Sequence, residues 1–544
     1  MMKKTAIKRV TRMSLCLLLA LATLLPTLAL AGCGEPDPEP VDPNAPVADP
    51  VDDNYRTFYQ IFVGSFADSN GDGFGDLGGI IERMDYLNDG NLNSDTSLGV
   101  QGIWLSPIFS SPSYHKYDAK DYYQVDWRFG TEETLKELID LCHERNIKII
   151  LDLAINHTSS QHEWFLKFKE ARISGNTEDP YYDFYTCVTN SERVNGIQYQ
   201  GFGGGWFYEC NFSGDMPELN YDNPDVREAM LDVAKYYMDL GIDGFRFDAV
   251  KYIYYGDTAR SVDFWKWYMS ELRAIDPDVY CVGECWSAES EILEYYPAMN
   301  CFNFAMSQAE GKVAMVAKGV GSVKGYTDYI QSLQERIREK NPDGMVMGFL
   351  SNHDMDRIAG VFISENNMRV AANLYLLCAG SPVIYYGEEI GIRGSRGGAN
   401  TDANRRLAML WGDGYVLRDP VGANYSSDYQ IKTTVVDQMA DEGSLLRYYC
   451  RLLTIRHKYE AIARGTYTSL EHSKKFGGFL VTYEGETLGI FHNTGIEAVT
   501  VDLAEYAEAW GYTFTELCEQ IGVDTATLDG TVLTVGPQTS VILK

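Results

Sequence analysis

The chain has 544 residues, 45% hydrophobic and 23% charged, a composition that supports large buried cores and more than one domain. Its 46 basic and 77 acidic residues give a net charge of −31 at pH 7. That balance argues against nucleic acid, whose phosphates need cations to neutralise them, and fits an exported soluble protein or a saline habitat. With 37 Tyr, 23 Phe and 9 Trp, the chain has rings enough to fill its cores and line a sugar-binding cleft.

The first 33 residues form a targeting segment. Lys3, Lys4, Lys8, Arg9 and Arg12 make a positive region, and residues 15–30 an apolar stretch interrupted by Pro26. It is too short and too broken for a membrane span. Leu30-Ala31-Gly32-Cys33 resembles a bacterial lipobox, in which the Cys is lipidated and becomes the mature N-terminus; the alternative is an ordinary signal peptide with an incidental Cys. Residues 34–54 are acidic and Pro-rich, with no aromatic, Ile or Leu, as an extended linker would be. A lipid on Cys33 would hold the protein on a membrane surface without spanning it. Of 11 Cys, the nine beyond Cys33 are an odd number, so at least one is free or paired outside the chain. Cys187 and Cys210 flank a Gly-rich loop and could pair.

Strand-like and helix-like segments then alternate. Strands are expected at 58–66, 102–108, 148–156, 244–250, 279–286, 300–306, 345–351 and 382–388. Helical spacing predicts crossovers at 77–88, 131–145, 226–240, 262–274, 326–339 and 368–379, and a closing helix at 444–457. Eight strands with helical crossovers predict an α/β fold, a (β/α)8 TIM barrel. The rival is an open doubly wound sheet, disfavoured because no Gly-rich phosphate loop follows the first strand. The barrel would take residues 55–156 and 222–464, with 157–221 as an inserted subdomain after strand 3. Short β-rich runs from 465 to 544 suggest a C-terminal antiparallel β-sandwich.

Active-site groups in such barrels project from the C-terminal ends of strands. Arg246 and Asp248, two apart, point to one side of the fourth strand. Alone they read equally as a buried ion pair tying barrel layers together or as catalytic groups. Other strand ends break the tie, because Asn156-His157, Glu284 and His353-Asp354 fall on the same rim.

The segments DLAINH, GFRFDAVK, VGECW and FLSNHD, in that order, resemble the four signatures of the α-amylase family of glycoside hydrolases, family 13. Ile103-Trp104-Leu105-Ser106-Pro107 and Met216-Pro217-Glu218-Leu219-Asn220 resemble two further ones. The second resembles the version found in the group between α-amylases and oligo-1,6-glucosidases or neopullulanases. The resemblance implies that Asp248 is a nucleophile, Glu284 a general acid and base, and Asp354 a stabiliser of the oxocarbenium-like state. Arg246 would keep Asp248 ionised, and an apolar setting that includes Trp286 would keep Glu284 protonated. His157 and His353 would grip one sugar ring, Tyr117 would stack on it, Asp118 and Arg357 would pair beside it, and Lys251 would contact the leaving side. Lys116 stands where many relatives have Gly.

From Asp68 to Asp76, oxygen side chains alternate with turn glycines, a pattern that can wrap a hard cation. It resembles an EF-hand loop except that position twelve is Gly79. It also resembles the calcium loop of the intermediate amylase group, where Asp68, Asn70, Asp72, the Phe74 carbonyl and Asp76 would bind Ca2+. The expected protein is a monomeric, lipid-anchored, extracytoplasmic enzyme that hydrolyses internal α-1,4 bonds of starch-like glucans. Exo-acting, α-1,6-cleaving and transglycosylating activities are alternatives within the family, and a non-catalytic glucan-binding protein is the alternative outside it.

Overall fold

Seven parallel strands curl around one apolar core: β1 (Phe58–Ile61), β2 (Gly102–Leu105), β3 (Lys148–Leu153), β4 (Gly244–Phe247), β5 (Tyr280–Gly283), β6 (Asn300–Cys301) and β7 (Val383–Tyr385). Their spatial order is β6-β5-β4-β3-β2-β1-β7, with rungs such as Gln60–Trp104, Asp152–Arg246 and Arg246–Val282. The computed structural model describes residues 51–544 apart from Leu92, Ile363, Ala399, Asn400 and Tyr415. The leader and Cys33 lie outside the described residues.

The strand expected at 345–351 does not form as a regular one. Its residues fill the eighth place through two parallel bridges, Phe302–Met347 and Phe349–Val383, and so close the barrel. Asn303 explains the irregularity: its Oδ1 takes Met347 N at 2.6 Å, where a neighbouring strand would have offered a carbonyl. The first strand is also shorter than expected, because Val63–Ser65 turns into a single 3-10 coil at the rim.

The crossovers are amphipathic helices with defined ends. α1 (Glu132–Glu144) is capped by Thr131 and buries Leu135, Leu138, Ile139 and Cys142. Each of its apolar side chains is worth about 1.5–3 kcal/mol when fully buried. α2 (Pro224–Leu240) begins at an Asn223 cap with Pro at its first position and stops at Gly241, whose φ of 106° favours a residue without Cβ. α3 (Thr258–Ile275), α4 (Val323–Lys340), α5 (Glu365–Leu376) and α6 (Leu445–Lys458) complete the larger helices of the barrel.

Between β3 and α2 the chain builds a helix, Glu163–Ser174, and a three-stranded antiparallel sheet of Cys187–Thr189, Trp206–Glu209 and Tyr199–Gly203. Cys187 and Cys210 are both free thiols. Cys187 faces Tyr208 across the sheet, which places Cys210 two residues out of register with it. After residue 465 come a five-stranded and a three-stranded antiparallel sheet. They are fastened to the barrel helices by Gln334 Nε2 to Gly465 O at 2.8 Å and Asn373 Nδ2 to Ser540 Oγ at 2.9 Å. The last residues of the expected linker are also pinned: Asp53 pairs with Arg464 at 2.7 Å and Lys148 Nζ donates to Asn54 Oδ1 at 2.9 Å.

Candidate active site

Backbone pairing continues beyond the ends of β4 and β5. Glu284 N donates to Phe247 O at 2.9 Å and Val250 N to Glu284 O at 3.0 Å. This brings the turn after Asp248 alongside Glu284, and Ala249 N donates to Glu284 Oε2 at 3.0 Å. Arg246 is fully buried behind them. Its Nη1 lies 2.6 Å from Asp248 Oδ1 and 2.8 Å from Asp152 Oδ1, and its Nη2 is 3.8 Å from Glu284 Oε2. Its guanidinium also stands 5.1 Å over the Trp104 ring. The buried cation is thus ringed by three carboxylates, of which Asp248 and Asp152 share its Nη1, while its Nε and Nη2 have no hydrogen-bond partner in the protein.

Asp354 reaches the same place from the loop after the irregular eighth strand position. His353 Nε2 is 3.0 Å from its Oδ2, and Arg406 Nη2 is 2.8 Å from its Oδ1. Burial would push this carboxyl up, but the hydrogen bond from His353 and the charges of Arg406 and Arg246 hold it far below the usual carboxylate range. Glu284 goes the other way. Burial pushes its carboxyl up to about 7, with Arg246 opposing and Asp248 and Asp354 adding to the rise. The site thus holds a carboxylate kept ionised beside a carboxylic acid that keeps its proton near neutrality, the combination general acid chemistry needs.

These groups open onto a cleft of about 780 Å³ lined by Tyr117, His157, Asp248, Lys251, Glu284 and Asp354, with Tyr114, Phe212, Tyr252, Trp286 and Arg406 among its walls. His157 is buried, its Nε2 has no protein partner, and burial lowers its pKa despite the nearby Asp248. Lys251 Nζ donates to Trp286 O at 2.7 Å. Trp286 stacks on Phe304 at 5.3 Å and is 42% exposed, so it forms the rim and does not enclose Glu284 as expected.

Two expectations need correction. His353 does not line the cleft: it is fully buried, with Nδ1 2.7 Å from Gln60 Nε2 and Nε2 2.6 Å from Tyr117 Oη. Its ring stacks on Tyr117 at 5.4 Å, so it backs that ring from below the surface of the cleft. Asp118 and Arg357 do not pair. Arg357 Nη1 donates to Tyr386 O at 2.6 Å and Nε to Arg405 O at 2.9 Å, and the guanidinium lies 4.3 Å over Tyr385. Asp118 accepts from the hydroxyls of Ser111 and Ser113. The arginine that reaches the acidic cluster is Arg406, which sequence reasoning missed. It lies in the loop after β7, and the strand-end rule could have directed attention there.

Lys116 retains a left-handed φ of 67°, the conformation that glycine would supply. It is buried and its Nζ meets the buried Asp126 at 2.6 Å.

The Asp68 loop closes on itself. Asp68 accepts from the N–H groups of Asn70, Gly71 and Gly73, and Asp76 from those of Ser69 and Gly79 and from the Asn70 amide. Asp68 and Asp76 are both buried, whereas Asp72 is exposed and accepts from Phe74 N. Burial pushes the Asp76 carboxyl up, and the neighbouring Asp68 adds to the rise. Two buried carboxylates so close together are oxygen ligands of the kind a hard cation takes, although loop N–H groups already donate to both. Among the described residues, no three His, Cys, Asp or Glu side chains are gathered as a metal cage.

The sequence model for the alpha-amylase catalytic domain matches residues 60–465. Alpha-amylase 3 of Dictyoglomus thermophilum is 36% identical over 447 residues, 80% of this chain and 84% of the relative. A 4-alpha-glucanotransferase of Thermotoga maritima is 29% identical, covering 82% of this chain and 97% of that one. Among solved structures, Eubacterium rectale Amy13B superposes with a TM-score of 0.83 at 32% identity, over 92% of this chain and 97% of the other. The alpha-amylase from H.orenii gives a TM-score of 0.77 at 32% identity, over 90% and 99%. With its barrel, its arginine-bound acids and these relatives, the chain belongs to the α-amylase family of glycoside hydrolases, family 13.

Proposed function

We propose that this enzyme is an α-amylase that cleaves internal α-1,4 bonds of starch-like glucans with retention of configuration. Asp248 is the nucleophile. Its carboxylate oxygen forms a bond to the anomeric carbon as the glycosidic oxygen leaves with the proton of Glu284. Glu284 then takes a proton from water, the water oxygen bonds to the same carbon, and Asp248 is released. Asp354 accepts sugar hydroxyl hydrogens and stabilises positive charge at the ring. The free Nε2 of His157, the Tyr117 ring and Lys251 position the glucan around these acids. The single observation that carries this reading is Asp248 and Glu284 held on one guanidinium, with burial raising the Glu284 carboxyl to about 7. Retaining hydrolysis requires just such a close pair with divided roles.

The test is a time course on soluble starch and on maltooligosaccharides blocked at the non-reducing end, with the anomer of the first product read by NMR. Rapid fall in chain length and α-configured products from blocked substrates are expected. Release of glucose alone from free chain ends would refute internal cleavage; with pullulan as a further substrate, maltotriose would report α-1,6 cleavage, and oligosaccharides longer than the starting one would report transfer.

Two further features belong to the proposal. Calcium would be held by Asp68, Asn70, Asp72, the Phe74 carbonyl and Asp76, and would offset the buried charge of that loop. Cys33 would carry a lipid that anchors the exported enzyme at a membrane surface, with the Pro-rich linker as its tether. Detergent-phase partition of the full chain, lost in Cys33→Ala, tests the anchor; equal partition of both chains would refute it.

A further inference from the structure

Gln60 is fully buried on β1, between Trp104 and Tyr385 on the neighbouring strands. Its Nε2 is 2.7 Å from His353 Nδ1, and its Oε1 has no protein partner. The hydrogens around His353 can be counted. Asp152 Oδ2 takes Trp104 Nε1 at 3.2 Å, Arg246 Nη1 at 3.0 Å and the Tyr117 hydroxyl at 2.7 Å. Facing three donors, it acts as an acceptor, so the single hydroxyl hydrogen of Tyr117 is spent on it. Tyr117 Oη, 2.6 Å from His353 Nε2, must then accept from that nitrogen. Nε2 therefore carries a hydrogen, which it also turns toward Asp354 Oδ2 at 3.0 Å.

In a neutral ring this leaves a lone pair on Nδ1, which only a donor can face. The Gln60 amide N–H is that donor. Turned over, the amide would set Oε1 against that lone pair and leave Oε1 and both N–H hydrogens unpaired; as it stands, one N–H is paired and only Oε1 and the other N–H are not. We propose that Gln60 is a positioning residue for the reaction: it donates to His353 Nδ1 and so holds the ring proton on Nε2, where it joins Tyr117 to Asp354. This reverses the familiar carboxylate–histidine pairing, in which an acceptor faces Nδ1–H. A carboxylate at position 60 would draw a second proton onto the ring and change the charge beside Asp354. The other groups that face His353 are the rings of Trp104 and Phe62, at 6.0 and 6.5 Å, and Arg406, which donates to the His353 carbonyl at 3.0 Å.

The inference rests on Tyr117 and Asp354 acting at the sugar, as proposed above, but the proton position is read without substrate. Long-range proton–nitrogen correlation spectra of enzyme labelled with 15N-histidine report which ring nitrogen is protonated, and His353→Gln identifies the signal. In the unaltered enzyme, Nε2 should carry the proton and Nδ1 should be an acceptor. Gln60→Glu should protonate both nitrogens, and Gln60→Met should remove the tautomer preference. Each should lower kcat about 10–100-fold, the usual effect of a residue behind the reacting groups, with little change in KM. A proton on Nδ1 of the unaltered enzyme overturns the proposal, as does Gln60→Glu with unchanged kcat and unchanged ring signals. If the variants do not fold, the tautomer of the unaltered enzyme decides. Full activity in Asp354→Asn would instead refute the proposed role of Asp354 and leave the Gln60–His353 hydrogen bond standing.

Discussion

Ala249 gives its backbone N–H to Glu284 Oε2 at 3.0 Å from a left-handed conformation, with φ 50° and ψ 43°. A residue with a Cβ pays about 1–2 kcal/mol to stand there. The conformation is enforced from both sides, since Phe247 O and Val250 N are both engaged by the Glu284 backbone. Local strain is thus held at the turn that presents Asp248 and Glu284 together, and the fold around it supplies the compensation.

Substitution at this turn should separate backbone strain from chemistry. Ala249→Gly adopts the same conformation without a Cβ, so activity should persist, and the melting temperature should rise slightly, because the strain of about 1–2 kcal/mol it relieves is only partly offset by the greater freedom of glycine in the unfolded chain. Ala249→Val places a β-branched residue where φ is positive, which is far less tolerable. The N–H would swing away from Glu284. Because that bond lowers the Glu284 pKa, its loss should move the alkaline limb of kcat/KM upward while kcat falls at least about tenfold, or about 1.4 kcal/mol. Matched pH–rate profiles of the two variants measure both effects, and identical profiles would exclude a role for the bond.

The proton on Glu284 sets both activity and stability. Burial raises its carboxyl from 4.5 to about 7, so the folded enzyme keeps a proton that the unfolded chain has already lost. The stability linked to that proton is fully present below about 4.5 and is lost as pH rises through about 7. Glu284→Gln should therefore melt higher than the parent at pH 8, while the difference shrinks toward pH 4. Hydrolysis should fall by about 10²–10⁴, the usual contribution of a general acid. The parent should show a falling kcat/KM limb near pH 7. Calorimetry across pH alongside starch hydrolysis makes the comparison, and a variant that melts at the same temperature as the parent at pH 8 would contradict the raised carboxyl.

Arg406 should matter through Asp354. Its Nη2 lies 2.8 Å from the carboxylate, its Nη1 holds Tyr114 Oη at 3.0 Å, and its Nε holds the His353 carbonyl at 3.0 Å. Three fixed directions are a geometry that lysine cannot reproduce. Arg406→Lys should keep the charge and lose the fork, and Arg406→Ala should lose both. We expect kcat/KM to drop about 100-fold in the alanine variant, near 2.7 kcal/mol, and less in the lysine variant. An alanine variant with parental kcat/KM would show that His353 and Arg246 suffice to hold Asp354.

The contrast between Arg246 and Arg406 explains what was legible in the sequence. Arg246 and Asp248 could be read because a strand ending has a fixed alternation and a known rim. Glu284 and Asp354 followed from the same rule at other strand ends. Arg406 lies in a loop with no period. Its path is set by contacts distant along the chain, such as Ser65 Oγ to Arg406 O at 2.8 Å and Met409 N to Ser65 O at 2.8 Å. The pairing of Arg357 with Asp118 comes from the family resemblance with no local signal behind it, and three-dimensional placement turns Arg357 onto Tyr385 and Tyr386. The eighth strand position was visible as an apolar run, but the Asn303 side chain that breaks its ladder acts from elsewhere in the chain.

If the Asp68 loop binds calcium, chelation should destabilise the enzyme. A ligand present at 100 times its Kd adds about 2.7 kcal/mol to the folded state. Excess EDTA should lower the melting temperature, and added Ca2+ should restore it. Asp76→Asn should abolish the calcium response; it also weakens the cap that Asp76 provides to Gly79 N at 2.6 Å, so the calcium-dependent part of the shift is the quantity to compare. Equal melting temperatures with EDTA and with Ca2+ would contradict calcium binding there.

Lys116 tests which of two opposed effects wins. Its φ of 67° is one that glycine adopts freely, so Lys116→Gly should recover about 1–2 kcal/mol of backbone strain. The same change strips Asp126 of its charged partner and leaves it only the Arg128 N–H at 3.2 Å. Lys116 Nζ and the Asp126 carboxylate meet at 2.6 Å, with each side chain only 3% exposed. Leaving one buried charge unpaired costs about 3–5 kcal/mol, more than the strain relieved. Lys116→Gly should therefore destabilise the enzyme by roughly 2 kcal/mol, the difference between these two terms. The double variant Lys116→Gly with Asp126→Asn removes the stranded charge and should recover most of the loss. Denaturant unfolding of the two variants reads the balance directly: a glycine variant more stable than the parent would mean that strain at this turn outweighs the buried ion pair.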